Sequence, residues 1–541
     1  MRALVVAVSS YFFAVILAAP STFGANSIYG SVKDLHQNRL NGVFVTAERT
    51  GATFRTTVFT DDSGQYRFPE LQPGSYTVTA HAGGFQTARK AGVAVKAGAT
   101  LEVPFTLETE DRPQEEFRQA RAGEWLASLQ GTMDQKYSVS KDCSGCHMNI
   151  YQIMAHRFSK PDWLKVLAAM ERIDATGVPR VGREEAGVRP EPNDMALQLL
   201  GPGKWRFGTA EQIADFLGEV QGPGSAYPQI KFHPRPTGKV TQAVITEYVL
   251  PRENAVPHDV QLDVEGNAWY NDFKNNYLGK INPKTGEIKE FRLPGKPGVP
   301  PGSADMYIFR GADPNVWVSL RSQGQLVRFD PKTEQVTAVW DGISFNRVDS
   351  KNGVGMGLGM RVDIATGKVL ARYKYKSKTS GYGSDVDSKG VGFRGGMNDH
   401  NIRVLNPETG EVMNYPTPTP NSGPRRITLD GDDVLWFGEW YGGKIGRFDA
   451  KTGQITEYTP SVPFAAFYQA GVDEKTHEGW AYDWHNDRLD RVNPKTGEVI
   501  EYPMPTRDVE SRRTSMDDST NPISVWVHGA GNGLVIRVQA P

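Results

Sequence analysis

Cysteine is almost missing from this chain, with two residues in 541. Small secreted scaffolds that depend on disulfides carry several pairs, so no such framework holds this fold together. Net charge is missing too. Lys and Arg number 61 against 62 Asp and Glu, which leaves no long-range field for nucleic acid and no polybasic footprint for a membrane surface. The glycine-rich stretch 353–360 lacks the following Lys-Ser/Thr of a phosphate loop and reads as a loop or tight strand. Long apolar runs are missing after the first. Residues 3–19, behind Arg2, form a short apolar run containing Ser9 and Ser10, with small residues suited to cleavage at Ala19 and Ala25. No later segment reaches the roughly 18 apolar residues of a membrane helix. The expectation is a signal peptide over 1–25, with a retained anchor as the alternative. Export to the periplasm or the exterior follows, with no integral span after signal removal.

Both cysteines fall in one pentapeptide, Cys143-Ser144-Gly145-Cys146-His147. C-x-x-C-H is the attachment spacing of a c-type haem. Each of the two thiols can add to one vinyl group of the same porphyrin, and His147 is then placed to bind the iron as proximal ligand. The competing reading is a Cys143–Cys146 disulfide or redox dithiol. It leaves His147 without a role, and no thioredoxin-like βαβ pattern surrounds the motif. The distal ligand is expected from Met170, which ends PDWLKVLAAM with Trp163 and Leu167 on the same helical face. Met195 is the alternative, and Met170 as plain core filler is the competing role. Met154 and His156 lie close behind the motif, and ligation by two histidines through His156 stays open.

Glycine (57) and proline (35) are abundant and aromatics make up 10%, which points to a β-rich protein of several domains. Residues 27–108 alternate apolar and polar in seven short runs, from SIYGSV to LEVPFTL, separated by turn signals such as Asn41-Gly42 and Pro73-Gly74. That pattern predicts a small antiparallel β-sandwich. The stretch DDSGQYRFPELQPGSYTVTAHAGGF resembles the carboxypeptidase regulatory-like (transthyretin-like) module. The resemblance implies a carbohydrate-binding or spacer domain without catalytic residues. From 109 to 228 the periodicity turns helical in EEFRQARAGEWLASLQ, PDWLKVLAAMERI and AEQIADFLGEV. The order CSGCH, then W-x-x-x-L-x-x-M, then a terminal I-A-D-F-L helix is similar to small cytochrome c domains.

Residues 238–541 repeat themselves. One turn recurs as NPKTGEI, DPKTEQV, DIATGKV, NPETGEV, DAKTGQI and NPKTGEV, starting at 282, 330, 363, 406, 449 and 493. Spacings of 33 to 48 residues with four short strands per unit predict a β-propeller. A seventh blade is expected from both ends of the segment, with 240–251 supplying one strand and 523–538 the rest. Trp269, Trp317, Trp436 and Trp480 recur at one strand position and read as packing between blades. The unit resembles the streptogramin (virginiamycin B) lyase family, in P-x-x-I, G-x-L-W-F-x-E, N-x-I-G-R-I and G-x-I-T-E-Y. The resemblance implies histidines at the P-H-x-I position, with metal-binding glutamates two before and fourteen after one of them. Here Pro257-His258 is followed by Asp272 at fourteen residues, and Val256 stands at the earlier acid's place. In the unit at 424, Arg425 replaces the histidine, Glu439 keeps the later acid and Gly423 replaces the earlier one. His258, Asp272, His400, Glu439, Asp483 and His485 are candidates for a polar funnel at the propeller mouth. Rim hydrogen bonding is their competing role.

The expectation is therefore a mainly β multidomain protein, with an N-terminal β-sandwich, a small all-α cytochrome c domain and a C-terminal seven-bladed β-propeller. One haem c would serve electron transfer with a redox partner protein. The propeller would be a docking or substrate platform, as a subunit of a periplasmic oxidoreductase or its acceptor. The alternative is a metal-dependent C–O lyase for cyclic depsipeptides, with catalytic candidates His258, Asp272 and Glu439 and a divalent metal such as Mg. A further alternative is a cell-surface protein that binds glycans or another small ligand.

Overall fold

The computed structural model describes residues 26–144, 150–170, 207–302, 304–310, 312–377 and 381–541. The signal-like segment, Cys146, His147 and Met195 lie outside the described residues. Among the described residues no helix is long and apolar enough to cross a membrane.

The N-terminal sandwich has eight strands: β1 (Ser27–Asp34), β2 (Phe44–Arg49), β3 (Phe54–Phe59), β4 (Gln65–Arg67), β5 (Gly74–His81), β6 (Ala88–Val95), β7 (Thr100–Glu102) and β8 (Phe105–Leu107). The single run expected over 101–107 is split in two. Pro104 has no N–H for a ladder bond and separates β7 from β8. Both of these strands pair parallel with β1, whereas β4 pairs with it antiparallel, so this face is mixed rather than wholly antiparallel. Ile28, Val32, Val45, Phe68, Val78 and Phe105 fill the space between the two layers.

The second layer runs β6-β5-β2-β3 and does not stop at the domain edge. Strand β9 (Val244–Val249) pairs antiparallel with β3, Phe54 opposite Tyr248 and Thr57 opposite Ile245. Its other edge pairs with Leu534–Ala540, the last strand of the chain. One eight-stranded sheet thus runs from the sandwich into the final propeller unit. Pairing β9 on both sides leaves no open strand edge at the junction. Tyr248 secures it, with its ring 5.7 Å from both Phe54 and Trp526.

The propeller consists of seven four-stranded antiparallel units, six of them over 257–292, 304–341, 347–372, 384–416, 424–458 and 467–503. The seventh combines the strands of 515–540 with β9, so the unit is closed from both ends of the segment, with its edge strand Ser515–Asp517 lying ahead of the expected 523–538. The repeated turn has a local physical cause. In the first copy, Asn282 Oδ1 accepts from Lys284 N and Thr285 N, Gly286 N donates to Asn282 O, and Gly286 takes φ 75°. Glycine adopts that left-handed conformation without steric cost. The four tryptophans are fully buried between neighbouring units, as in Trp269 against Val318 and Phe329 of the next one.

Between sandwich and propeller lies a helical segment: α1 (Pro113–Gln119), α2 (Ala122–Ser128), α3 (Met133–Ser138), a π-helical turn over Val139–Cys143, α4 (Tyr151–Ala155), α5 (Lys160–Met170) and α6 (Ala210–Val220). The amphipathic helix expected over 115–130 is broken at Ala120, whose ψ of 142° is extended. The break has a tertiary reason. It turns α2 so that Gly123 N donates to His485 O of the propeller at 2.8 Å, and Glu124 Oε2 recovers a lost bond by accepting from Arg121 N at 2.8 Å. Helix α6 has the bounds its sequence predicts and is capped by Thr209, whose Oγ1 accepts from Gln212 N.

Candidate functional site

Cys143 closes the π-helical turn that follows α3. Such turns widen the backbone and are frequent at functional positions. The side chain is buried in an apolar cluster with Trp125, Leu126, Ile153, Trp163, Leu167 and Phe216. Met170, at the end of α5, is partly buried and packs against the same cluster. Trp163 and Leu167 are the buried residues of α5, so the expected face does turn inward. Two buried indole donors in this cluster, Trp125 Nε1 and Trp163 Nε1, have no hydrogen-bond partner among the described residues. An apolar core with uncommitted donors fits a large, mostly apolar group bearing a few acceptors. His156 is exposed and held by its Nδ1 contact to Gln152 O at 2.5 Å. Met154 is buried core.

The turn that carries Cys143 is pressed against the propeller. Lys141 Nζ donates to Ala465 O at 3.0 Å, and Ser140 Oγ lies 3.4 Å from His485 Nδ1. His485 also directs Nδ1 at Phe464 O, 2.8 Å away, which fixes the Nδ1–H tautomer and leaves Nε2 as a buried acceptor without a partner among the described residues. Burial and the Lys141 charge push its imidazole down to about 3. Burial pushes the Lys141 ammonium down to about 8 against the opposing charges of Asp483 and Glu439. The Asp483 carboxyl rises to about 6 through burial, although Asn486 Nδ2, Ala466 N and His485 N donate to it. Glu439 is pushed well up by burial and by the charge of Glu457. Beside this group, Asp487 collects Tyr151 OH at 2.6 Å, Tyr482 OH at 2.9 Å and two backbone N–H groups, with Arg121 3.4 Å away. Three of the funnel candidates, Glu439, Asp483 and His485, therefore belong to the seam with the helical segment.

His258 sits elsewhere. It is buried, stacks on Phe273 at 4.6 Å and has Nδ1 3.3 Å from Asp259 Oδ2. His258, Asp259 and Asp305 are the one group among the described residues with metal-ligand proximity. The donor set does not fit a divalent cation. Arg426 bridges Asp259 (2.6 Å) and Asp305, Arg321 adds a second guanidinium to Asp305, and Arg513 lies 3.9 Å from Asp259. Three cations already face two carboxylates, and burial holds His258 down at about 4. Asp272 and Glu439 do not join it. Asp272 binds Arg252 at 2.5 Å and Asn275, a rim role. His400 is half-buried, and its carbonyl accepts from Thr417 N. Arg425, at the position of the family histidine, is fully buried beneath three rings, Tyr468 (3.9 Å), Trp440 (4.3 Å) and Tyr382 (4.9 Å). That geometry is cation–π packing.

Sequence reasoning missed Lys141, Asp487 and the Arg426 bridge. Lys141 is two residues before Cys143, and a lysine beside an apolar cluster was a legible signal. Nothing local marks Asp487 or Arg426, because their partners come from distant units.

Two family models match parts of the chain. The carboxypeptidase regulatory-like domain matches residues 27–108, and the virginiamycin B lyase family matches residues 397–529. The sandwich is thus similar to a carboxypeptidase regulatory-like domain, and the later propeller units are similar to the virginiamycin B lyase family. No curated protein matches the chain. Similar solved structures include a streptogramin B lyase, 20% identical with a TM-score of 0.47, covering 55% of this chain and 98% of that one. Another is virginiamycin B lyase from Staphylococcus aureus, 21% identical with a TM-score of 0.45, covering 55% of this chain and 100% of that one. A third is the extracellular domain of a one component system from B. thetaiotaomicron, 16% identical with a TM-score of 0.39, covering 52% and 40%.

Proposed function

We propose that this is an exported c-type cytochrome with one covalent haem, in which the helical segment carries the redox group and the propeller is its platform. The observation that carries the reading is the seat of Cys143, the first residue of C-x-x-C-H. It lies in an apolar cluster that holds the side chain of Met170 and two indole N–H groups with no partner among the described residues. Cys143 and Cys146 would anchor the haem, His147 would bind its iron, and Met170 or Met195 would complete the ligation. When bound, the haem supplies a reversible one-electron change at iron.

The chain's own residues provide the rest. The cluster around Trp125, Trp163, Leu167 and Phe216 excludes water, which lowers the local dielectric and raises the weight of every nearby charge. Lys141 Nζ, beside the carboxyls of Asp483 and Glu439, is a proton-holding group that changes state near neutral pH. It links the turn of Cys143 to the propeller, so a partner bound on the propeller is coupled to the redox segment through packed contacts. Periplasmic or extracellular placement goes with the signal-like start and covalent haem attachment.

The lyase reading has weaker support. His258, Asp272 and Glu439 are engaged in three separate networks, and the two carboxylates beside His258 are taken by guanidinium groups. The test is a visible spectrum of the mature chain, expressed with haem-attachment machinery. A red protein with the sharp α band of ferrous c-type haem is expected, lost in Cys143→Ser and altered in Met170→Ala. A colourless mature wild type would overturn the proposal.

A further inference from the structure

Sandwich, helical segment, linker and propeller meet around a cleft of about 250 Å³. Its electrostatics are one-sided. Arg118, Arg121, Arg235, Arg488 and Arg507 line it, and Glu124 is the one carboxylate in its wall. Glu124 is already committed, accepting from Arg121 N and His233 N at 2.8 Å each. Arg118 and Arg488 reach carboxylates outside the wall, Glu115 and Glu501, both at 2.7 Å.

Two guanidinium groups have no carboxylate at all among the described residues. Arg507 donates to Ala120 O at 2.6 Å and lies over the Tyr151 ring. Arg235 lies over the Phe85 ring at 5.7 Å, and burial alone lowers its affinity for its proton. Arg488 Nε is buried and makes no hydrogen bond among the described residues, while Arg121 Nη1 faces the Asp487 carboxylate, outside the wall, at 3.4 Å. The histidines register the same field. His81 and His233 are each pushed down to about 4, by burial first and then by neighbouring arginines, Arg121 among them in both cases. Buried cations and orphaned N–H donors cost free energy unless something answers them.

We infer that this cleft binds a small organic anion bearing carboxylate or phosphate groups. Guanidinium is the side chain best matched to carboxylate and phosphate, because its parallel N–H pairs bind two oxygens at once. Phe44, Phe232, Pro234 and Pro503 supply apolar walls for a short carbon skeleton. The volume lies below the usual range of about 300–1,000 Å³ for drug-sized ligands, which limits the occupant to a small metabolite. Each of the four parts contributes to the wall, so the occupant would also hold them together.

The test is isothermal titration calorimetry on the full mature chain at constant ionic strength. Citrate, glucose 6-phosphate and inorganic phosphate are the probes, and sodium chloride is the control. One saturable site is expected for citrate or for glucose 6-phosphate, and the tighter of the two identifies the group as carboxylate or phosphate. Arg235→Gln and Arg507→Gln should each weaken binding tenfold or more. Arg235→Gln breaks no backbone contact, so it decides the matter if Arg507→Gln proves unstable in a thermal scan. No saturable heat with any probe, competition by chloride at equal ionic strength, or unchanged affinity in Arg235→Gln would overturn the inference.

Discussion

Gly123→Ala sets local helix propensity against tertiary packing, and the two predict opposite signs. Gly123 is in α2, where alanine is favoured over glycine by about 1 kcal/mol. A Cβ there, however, would lie 2.8 Å from Asn486 Cγ and closer still to its Oδ1. Asn486 cannot step aside cheaply. It is buried, donates Nδ2 to Asp483 Oδ2 (2.7 Å) and Pro463 O (3.1 Å), and has Oδ1 2.7 Å from His233 Nε2. Overpacking costs about 1–3 kcal/mol, and each broken hydrogen bond adds about 1 kcal/mol. With the Gly123 N–H bond to His485 O also at stake, the gross cost is about 3–5 kcal/mol. Subtracting the propensity gain leaves a net loss of about 2–4 kcal/mol. Scanning calorimetry should show the unit containing this seam melting lower, by about 2–4 °C per kcal/mol. In the Asn486→Gly background the same change should cost much less, since the clash partner is gone. A neutral or stabilising Gly123→Ala would refute the docking of α2 on the propeller.

Two other changes probe buried charge. Lys141 has its folded value lowered to about 8 by burial, so between pH 8 and its ordinary value the unfolded chain binds more protons than the folded one. The Lys141 contribution to stability therefore rises with pH across that window, and Lys141→Met should lower the pH slope there while leaving Asp483, Glu439 and His485 to titrate. Chemical denaturation at closely spaced pH values reads the slope, and an unchanged slope in the variant would sink the assignment. Arg426→Met leaves Asp259 and Asp305 short of a shared cation and should cost about 3 kcal/mol in urea unfolding. Adding Asp259→Asn should recover part of that loss, and millimolar Mg²⁺ should not raise the melting temperature of the wild type. A metal-induced rise would show that the guanidinium groups do not exclude a cation.

Much of this architecture was legible in the chain because its signals are local. The Asn-Pro-Lys-Thr-Gly turn repeats because one asparagine side chain and one left-handed glycine close it within five residues. Alternating strands and the tryptophan at a fixed strand position are similarly short-range, and the seventh unit could be assembled from both ends. The site was legible only in part. Cys143 and the Trp163–Leu167–Met170 face could be read from spacing, and all four pack in one cluster. The grouping of His258, Asp272 and Glu439 could not be tested by spacing, since His258 faces Asp259, Asp272 faces Arg252 and Glu439 lies beside Glu457.

Sequence by itself determined the sandwich, the helical segment, the repeated propeller unit and the covalent chemistry open to C-x-x-C-H, since each depends on residues within a few positions of one another. Tertiary structure alone decided the sharing of β9 by two domains, the break at Ala120, the seam between Lys141 and Asp483, and the arginine-lined cleft. These depend on contacts across hundreds of residues, such as Arg507 with Ala120 and Leu534 with Val249. Burial then sets the charge state of each group, and no local pattern encodes burial.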